Sequence, residues 1–222
     1  SRVKKIAVAY ANLEHFFPKS KLVLTGNPIR KKIQQELPEC GKAKAYFNLD
    51  TNKKTLVVLG GSLGARRINQ LIASKLDFFK AKKIQVVWQC GALYYEEYKV
   101  LETANVLVKA FVTDMEQLYS ASDFVISRSG AATLSELCCV GKPALLIPSP
   151  NVAENHQMHN AMALANQNAA LVVAENKLDE EFETVFQSLL ETSIQESLSF
   201  NISKLAKPEA TKYIVDLIEE II

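Results

Sequence analysis

The sequence lacks several features that point to specialised classes of protein. Its 222 residues include four cysteines but no C-x-x-C pair, and the adjacent Cys138 and Cys139 fit neither a metal-site nor a disulfide spacing. This pattern favours reduced thiols in a cytoplasmic protein. The apolar runs, such as Ala169–Ala174, are far shorter than the roughly 18 to 20 residues that span a bilayer. The chain also starts without a long apolar signal core, so secretion is not indicated.

The sequence also has almost no excess of positive over negative charge. Lys and Arg number 26 and Asp and Glu 24, which gives a formal net charge of +2, and no block of like charge interrupts the mixture. We therefore predict no nucleic-acid partner, because a surface that tracks phosphates needs clustered cations. The length and the 48% of hydrophobic residues suffice for a core without disulfide or metal staples.

Short β-rich runs alternate with amphipathic helical patterns between residues 55 and 191, which predicts parallel βαβ units. The predicted strands are Thr55–Leu59, Ile84–Trp88, Val106–Val108, Phe124–Ser127, Ala144–Ile147 and Ala170–Val173. The predicted helices lie near Ala65–Leu76, Leu93–Glu102, Met115–Ala121, Thr133–Val140, His156–Gln167 and Asp179–Glu191. The fold class is therefore α/β, a doubly wound parallel sheet of Rossmann type, with a ligand site beyond the carboxyl ends of the strands. Asp114 is expected to cap a helix and Gly141 to end one.

The two ends of the chain follow other patterns. Strand-like runs at Lys5–Tyr10 and Lys21–Thr25 surround a short helix, and the breaker Gly26-Asn27-Pro28 follows them. Residues 31–38 are polar and linker-like, so a domain boundary is predicted near Arg30, and the chain is predicted to begin inside an earlier domain. In the last helix, one apolar face needs a covering surface; it is formed by Tyr213, Ile214, Leu217, Ile218 and Ile221.

Two glycine-containing turns follow predicted strands and open helices, where backbone N–H groups and the helix dipole favour an anion. The first turn is the segment 60–66, GGSLGAR; it has neither the G-x-G-x-x-G spacing nor a Walker lysine, and Gln89 stands where NAD-binding folds carry an acid. NAD and ATP are therefore disfavoured. The second turn is the segment 127–136, SRSGAATLSE, in which Glu136 can accept hydrogen bonds from ribose hydroxyls. The alternatives are a tight turn shaped by sterics and an acid that only compensates the helix dipole. Two such turns in one sheet favour a nucleotide or nucleotide-sugar site.

Two further segments carry polar or ring-covering groups. In the predicted helix that starts at His156, the side chains of His156, Gln157 and Asn160 share one side and suit a ring of sugar hydroxyls, although an exposed polar helix start is the alternative. In the segment 109–115, the backbone could contact a base edge while Phe111 or Met115 covers a ring; a buried apolar turn is favoured by composition. We find no Ser-His-Asp set, defensible carboxylate pair or metal cluster, so a catalytic base is expected elsewhere.

Five segments in order resemble a known family: 26–30, 60–66, 111–115, 128–136 and 156–161. Together they are similar to the C-terminal, donor-binding half of the MurG family of two-domain GT-B glycosyltransferases, over essentially the whole chain. The resemblance implies transfer of N-acetylglucosamine from UDP-N-acetylglucosamine (UDP-GlcNAc) to lipid I, which is undecaprenyl-diphosphate-linked N-acetylmuramoyl pentapeptide, to form lipid II. It implies a peripheral protein at the cytoplasmic face of the bacterial cell membrane, with no cofactor and no metal.

The resemblance also implies roles for the matching positions. Arg30 would lie at the domain junction near the donor, Ser62 would contact the diphosphate, and the backbone of Val112 would contact the uracil edge. Gln157, with Asn160, would hold the N-acetylglucosamine. A helix start would hold the phosphates and, through Glu136, the ribose; it comprises Ala131, Ala132, Thr133, Leu134, Ser135 and Glu136. Gly61, Arg128 and His156 are further candidates, and Leu63 stands where many family members carry glutamine.

By the same resemblance, residues 1–29 would be a remnant of the acceptor domain, 30–205 the donor domain, and 206–222 a helix that returns to the acceptor domain. The acceptor site, the membrane-facing patch and the catalytic base would lie in that N-terminal domain, so this chain alone is expected not to transfer sugar. The acceptor C4 hydroxyl would displace UDP with inversion, and the charge on UDP would be met by the helix start near Ala131, by Ser62, and by Arg30 or Arg128. The alternatives are a donor subunit of a split two-chain transferase, another UDP-sugar GT-B enzyme, and a nucleotide-binding regulator.

Overall fold

The computed structural model describes residues 3–9, 17–34 and 36–220, whose strands form two parallel sheets. The smaller sheet pairs β1 (Ile6–Val8) with β2 (Leu22–Leu24). The larger sheet contains β3 (Lys54–Leu59), β4 (Ile84–Gln89), β5 (Val106–Lys109), β6 (Phe124–Ser127), β7 (Ala144–Leu146) and β8 (Leu171–Val172). Its spatial order is β5-β4-β3-β6-β7-β8.

This order confirms the predicted doubly wound fold. Chain connections run one way from β3 to β5 and the other way from β6 to β8, so the direction of winding switches between β3 and β6. Leu59 at the end of β3 pairs with Ser127 at the end of β6. The turns after these two strands therefore leave the sheet side by side, at the position where open α/β sheets bind ligands.

The helices cover both faces of the larger sheet. In chain order the helices of the described residues are α1 (Lys31–Gln34), α2 (Cys40–Tyr46), α3 (Arg66–Ser74), α4 (Leu76–Ala81), α5 (Tyr95–Tyr98), α6 (Met115–Ala121), α7 (Ala131–Val140), α8 (His156–Ala165), α9 (Leu178–Leu189), α10 (Thr192–Ser203) and α11 (Ala210–Glu219), of which α11 contributes no residue to either core. Alternate strand residues enter two cores: Val58 and Trp88 pack on one face, and Val57 and Val87 on the other. This two-sided burial explains why the strands are continuous apolar runs.

The predicted elements are confirmed, with local differences. The helix predicted at 65–76 ends at Ser74, and α4 follows after a break at Lys75. The helix predicted at 93–102 is a single α-helical turn between two 3-10 turns. The linker predicted at 31–38 is wrong for α1, which Ile33 anchors by burial, and α2 and α10 were not predicted. Between the first two strands the structure describes a 3-10 turn at Lys19–Lys21, whereas residues 10–16 and Ile221 fall outside the described residues.

Of the two predicted helix ends, Gly141 is confirmed and the Asp114 cap is wrong. Gly141 ends α7 as predicted: its φ is +64°, and its N–H donates to the carbonyl of Leu137. Asp114 precedes α6, but within the described residues its carboxylate does not cap that helix; it accepts a hydrogen bond from the Tyr46 hydroxyl at 3.0 Å. The expected apolar face of α11 leaves Tyr213 and Ile218 about half exposed.

A buried ion pair fixes the pairing of β3 with β6. Asp123, just before β6, accepts hydrogen bonds from the backbone N–H of Thr55 at 2.8 Å and from the ammonium of Lys44 at 3.0 Å. The side chain of Lys44 is only 5% exposed. Burial raises the pKa of Asp123, but the Thr55 N–H and Lys44 outweigh that effect, so its pKa lies below the ordinary value. The ionised carboxylate therefore stabilises the fold.

We expect Asp123→Asn to lower the free energy of unfolding by about 3 kcal/mol at pH 7, because it leaves Lys44 buried without its anionic partner. A folded-state pKa below the unfolded value gives stability that is present above about pH 4 and is lost as the pH falls through the folded pKa. Urea titrations at pH 7 and at acid pH measure both effects. The exposed Asp216→Asn on α11 is the control and should change stability by less than about 0.5 kcal/mol. Equal stability of the two variants at pH 7 would contradict the prediction.

Candidate functional site

The turn after β3 carries Ser62 out at the carboxyl edge of the sheet. Gly61 and Gly64 have φ of +84° and +83°, and the N–H of Gly64 donates to the carbonyl of Gly61 at 3.2 Å. Ser62 and Leu63 between them are exposed, Leu63 at 79%. α3 then begins at Arg66. The turn thus presents backbone and a hydroxyl to any ligand at this edge.

The turn after β6 leads into α7. Ser129 is fully buried, and an added Cβ on Gly130 would meet no described atom within 4 Å, so the backbone there is open to close approach. Gly130, the N-cap residue of α7, has no side chain that could cap the helix. Ala132 is exposed, whereas the side chain of Leu134 is fully buried in the core. Leu134 therefore belongs to the predicted site only through its backbone.

The helix α8 is held against this second turn. The hydroxyl of Ser129 donates to the Gln157 carbonyl at 2.7 Å, and the Asn160 amide donates to the Ser129 carbonyl at 3.1 Å. The side-chain oxygen of Gln157 accepts from the Ser149 N–H at 3.0 Å, which leaves its NH₂ group to donate. The exposed His156 begins α8, with Nδ1 2.9 Å from the Ala153 carbonyl. The structure thus brings two separately predicted segments together.

Glu136 lies one turn into α7 and has two partners. Its Oε1 accepts a hydrogen bond from Arg30 Nη1 at 2.6 Å, and its Oε2 accepts one from the Tyr119 hydroxyl at 2.9 Å. Burial raises the pKa of Glu136 above its ordinary value, against the opposing effects of Arg30 and Tyr119. Asn27 donates to Ser135 at 3.2 Å. The segment 26–30 therefore lies along α7.

Val112 is tied to the first turn by Gln89, which the sequence marked only as a position without an acid. The Val112 N–H donates to Gln89 Oε1 at 2.9 Å, and Gln89 Nε2 donates to the Gly61 carbonyl at 3.2 Å. The Val112 N–H is thus occupied, and its carbonyl is the group left to contact a base edge. Phe111 is 49% exposed and Met115 is buried, so Phe111 is the one able to cover a ring.

The guanidinium of Arg128 is bound by other groups of the protein. Its Nη1 donates to the carbonyls of Ile147 and Pro148 at 3.1 Å each, and its guanidinium pairs with Glu175. These contacts fix the loop that leads to α8. Arg30, whose side chain is 49% exposed, is the arginine with freedom to contact a ligand near α7.

At one sheet edge, the described residues offer two helix starts and the Arg30 guanidinium to an anion, and the Glu136 carboxylate to hydroxyl groups. They contain no group of three His, Cys, Asp or Glu side chains that could hold a metal ion. None of the helices in the described ranges is long and apolar enough to cross a membrane. Sequence patterns identified four of the converging segments, but Tyr119 and Gln89 act through side chains in a helix and a strand, where no motif marks them.

Comparison with known proteins places the chain in a family. The model of the glycosyltransferase family 28 C-terminal domain matches residues 55–220. Two relatives are named UDP-N-acetylglucosamine–N-acetylmuramyl-(pentapeptide) pyrophosphoryl-undecaprenol N-acetylglucosamine transferase. The relative from Flavobacterium psychrophilum is 52% identical over 100% of this chain, and that from Christiangramia forsetii is 49% identical over 98%. The chain spans 61% and 60% of their respective lengths.

A solved structure is similar as well. The crystal structure of Acinetobacter baumannii MurG superposes with a TM-score of 0.70 at 25% sequence identity. The match covers 92% of this chain and 58% of that one. The likeness therefore extends over nearly all of this chain and over part of the other protein.

Proposed function

The chain belongs to the glycosyltransferase family 28 C-terminal domain family, and on that premise we propose that it is the donor-binding part of an N-acetylglucosaminyltransferase. In this proposal it binds UDP-GlcNAc, and the complete enzyme transfers N-acetylglucosamine to lipid I to form lipid II in peptidoglycan synthesis. The names of the relatives support this substrate pair. Such an enzyme works at the cytoplasmic face of the bacterial membrane and serves cell shape and division.

The observation that carries the proposal is the convergence of the site on the switch between β3 and β6. The start of α7 suits the diphosphate, because helix starts offer N–H donors and a positive dipole end. Glu136 suits the ribose, the Val112 carbonyl suits the uracil edge, and Gln157 with Asn160 suits the sugar. All of these groups lie at the carboxyl edge of the larger sheet.

The chemistry supplied by this part is stabilisation of the leaving UDP. As the bond from the anomeric carbon to the diphosphate breaks, negative charge grows on the phosphate oxygens. The start of α7, Ser62 and the half-exposed Arg30 are donors suited to that charge. In the proposal, the base that deprotonates the acceptor hydroxyl belongs to an acceptor domain, of which residues 1–29 are a part. Residues 30–205 are the donor domain, and residues 206–222 return to the acceptor domain, which also contacts lipid I and the membrane.

Isothermal titration of the chain with UDP-GlcNAc, UDP-N-acetylgalactosamine and NADH tests the donor assignment. We expect heat of binding for UDP-GlcNAc, weaker binding of its epimer and none for NADH, because the first turn lacks the dinucleotide spacing and Gln89 replaces the ribose-binding acid. A folded chain that binds NADH, or binds no UDP-sugar at millimolar concentration, would refute the proposal.

Gln157→Ala is expected to weaken UDP-GlcNAc binding by about tenfold and UDP binding by less than about twofold, because one oriented hydrogen bond to the sugar is lost. Ser149 holds the amide oxygen of Gln157, so the NH₂ group points in a fixed direction. Gln167→Ala, just past the other end of α8, is the matched control and should change neither affinity. Equal losses for both ligands would show that Gln157 acts on the loop and not on the sugar.

A further inference from the structure

The Tyr119 hydroxyl is the enclosed partner of Glu136. Tyr119 is fully buried in α6, and its hydroxyl lies 2.9 Å from Glu136 Oε2. An ionised carboxylate only accepts hydrogen bonds, so the phenol is the donor. Burial, and then the neighbouring carboxylate, raise the pKa of Tyr119 well above its ordinary value. The phenol therefore stays protonated and keeps donating.

The two oxygens of Glu136 differ in how firmly they are held. Oε2 faces Tyr119, which belongs with Leu118, Val125 and Leu137 to one of the two cores. Oε1 faces Arg30, which lies in the irregular segment before α1 and has a 49% exposed side chain. The half-exposed arginine can turn to another anion, and the carboxylate, only 8% exposed, then needs a new donor such as a ligand hydroxyl. Oε1 is the oxygen that can change partner.

The thiol of Cys139, which also lies near the carboxylate, does not change how firmly the two oxygens of Glu136 are held. Arg30 from the segment before α1 and Tyr119 from α6 lower the pKa of Glu136, and Glu136 in turn raises the pKa of Cys139 on its own helix. Burial raises the pKa of Cys139, so its thiol stays neutral near pH 7. The orientation of the carboxylate thus depends on Tyr119 and Arg30.

We propose that Tyr119 is a positioning residue for nucleotide binding: its hydroxyl fixes Oε2 of Glu136 so that Oε1 can exchange Arg30 for the ribose hydroxyls of a uridine diphosphate. This inference rests on the proposed function, since it takes Glu136 as the ribose ligand. The exchange releases the Arg30 guanidinium toward the diphosphate. One buried hydroxyl thereby keeps the carboxylate oriented while its other partner changes.

The test compares Tyr119→Phe and wild-type chains in calorimetric titrations with UDP and with 2′,3′-dideoxy-UDP, which lacks both ribose hydroxyls. Tyr119→Phe is expected to weaken UDP binding about tenfold and binding of the dideoxy analogue less than about twofold, because only the diol uses the oriented carboxylate. In a Glu136→Ala background the same substitution should leave UDP affinity unchanged within about twofold.

Tyr98→Phe is the matched control. Tyr98 is also buried, but it lies on the other face of the sheet, where the centroid of its ring is 4.8 Å from that of the Trp88 ring. We expect this variant to bind both ligands like the wild type, and melting curves of all variants verify folding. Equal weakening of UDP and its dideoxy analogue in folded Tyr119→Phe would overturn the role of Tyr119 alone. Failure of the folded wild-type chain to bind UDP would overturn the proposed function and this inference together.

Discussion

Glu136→Gln is expected to weaken UDP binding by about 30-fold, because a charge-assisted hydrogen bond to the ribose becomes a neutral one. Folding should survive, since the Tyr119 hydroxyl can still donate to the amide oxygen and the cost of burying a charge disappears. Calorimetric titration measures the affinity, and thermal melting measures the stability. The matched control is Glu196→Gln, at an exposed position of α10 that should leave UDP affinity unchanged.

The pH dependence gives the Glu136 prediction a second readout. Burial raises the pKa of Glu136 above its ordinary value despite Arg30 and Tyr119, so acidification protonates it before an exposed glutamate. Wild-type affinity for UDP should therefore fall as the pH decreases through that raised pKa, relative to Glu136→Gln. A raised carboxyl pKa also favours the folded state at low pH, so the stability advantage of Glu136→Gln should shrink on acidification. Parallel pH profiles of the two proteins would exclude Glu136 as a ribose ligand.

Gly64→Ala is expected to lower the free energy of unfolding by about 3 kcal/mol or more and to abolish detectable UDP binding, because its added Cβ meets backbone at a positive φ. Gly64 has φ of +83°, and a Cβ there would lie 2.1 Å from the Cys90 carbonyl oxygen. The facing residue, Gly91, is equally constrained: its Cβ would lie 2.3 Å from the Gly64 nitrogen. Any relief must move the turn that carries Ser62.

Urea unfolding and UDP titration of the same variant measure both losses. Gly41→Ala is the matched control, because an added Cβ in this α2 position meets no described atom within 4 Å. It should stabilise the chain by about 0.5 to 1 kcal/mol, since Gly disfavours helix relative to Ala. If Gly64→Ala were as stable as Gly41→Ala, the backbone at Gly64 and the backbone at Cys90 could move apart at little cost, and the prediction would be wrong.

Sequence patterns reached much of the site because phosphate-binding turns depend on local features. The segment 60–66 shows its glycines, and the segment 128–136 shows small residues before a helix, both directly after apolar strands. The parallel βαβ pattern then places such turns at one edge. Sequence patterns did not predict the single helical turn α1 or the short length of α5, because these turns depend on the burial of residues such as Ile33 and Tyr98.

The assignments that changed concern side chains with competing partners. Arg128 and Arg30 are equally plausible phosphate ligands in the sequence, yet Arg128 is bound to the Ile147 carbonyl and to Glu175. The Val112 N–H is likewise taken by Gln89. These partners lie 19, 47 and 23 positions away along the chain (147 − 128, 175 − 128 and 112 − 89). Such contacts follow from the order of strands in the sheet.

The sequence by itself determined the α/β class, the six parallel strands and the two turns between strand and helix, since hydrophobic periodicity and glycine placement are local properties. Only the tertiary structure decided which groups remain available to a ligand. It buried the Tyr119 hydroxyl against Glu136 and left Arg30 half exposed on the other oxygen. The physical reason is that a polar group's partners, exposure and pKa depend on elements that folding brings together from distant parts of the chain.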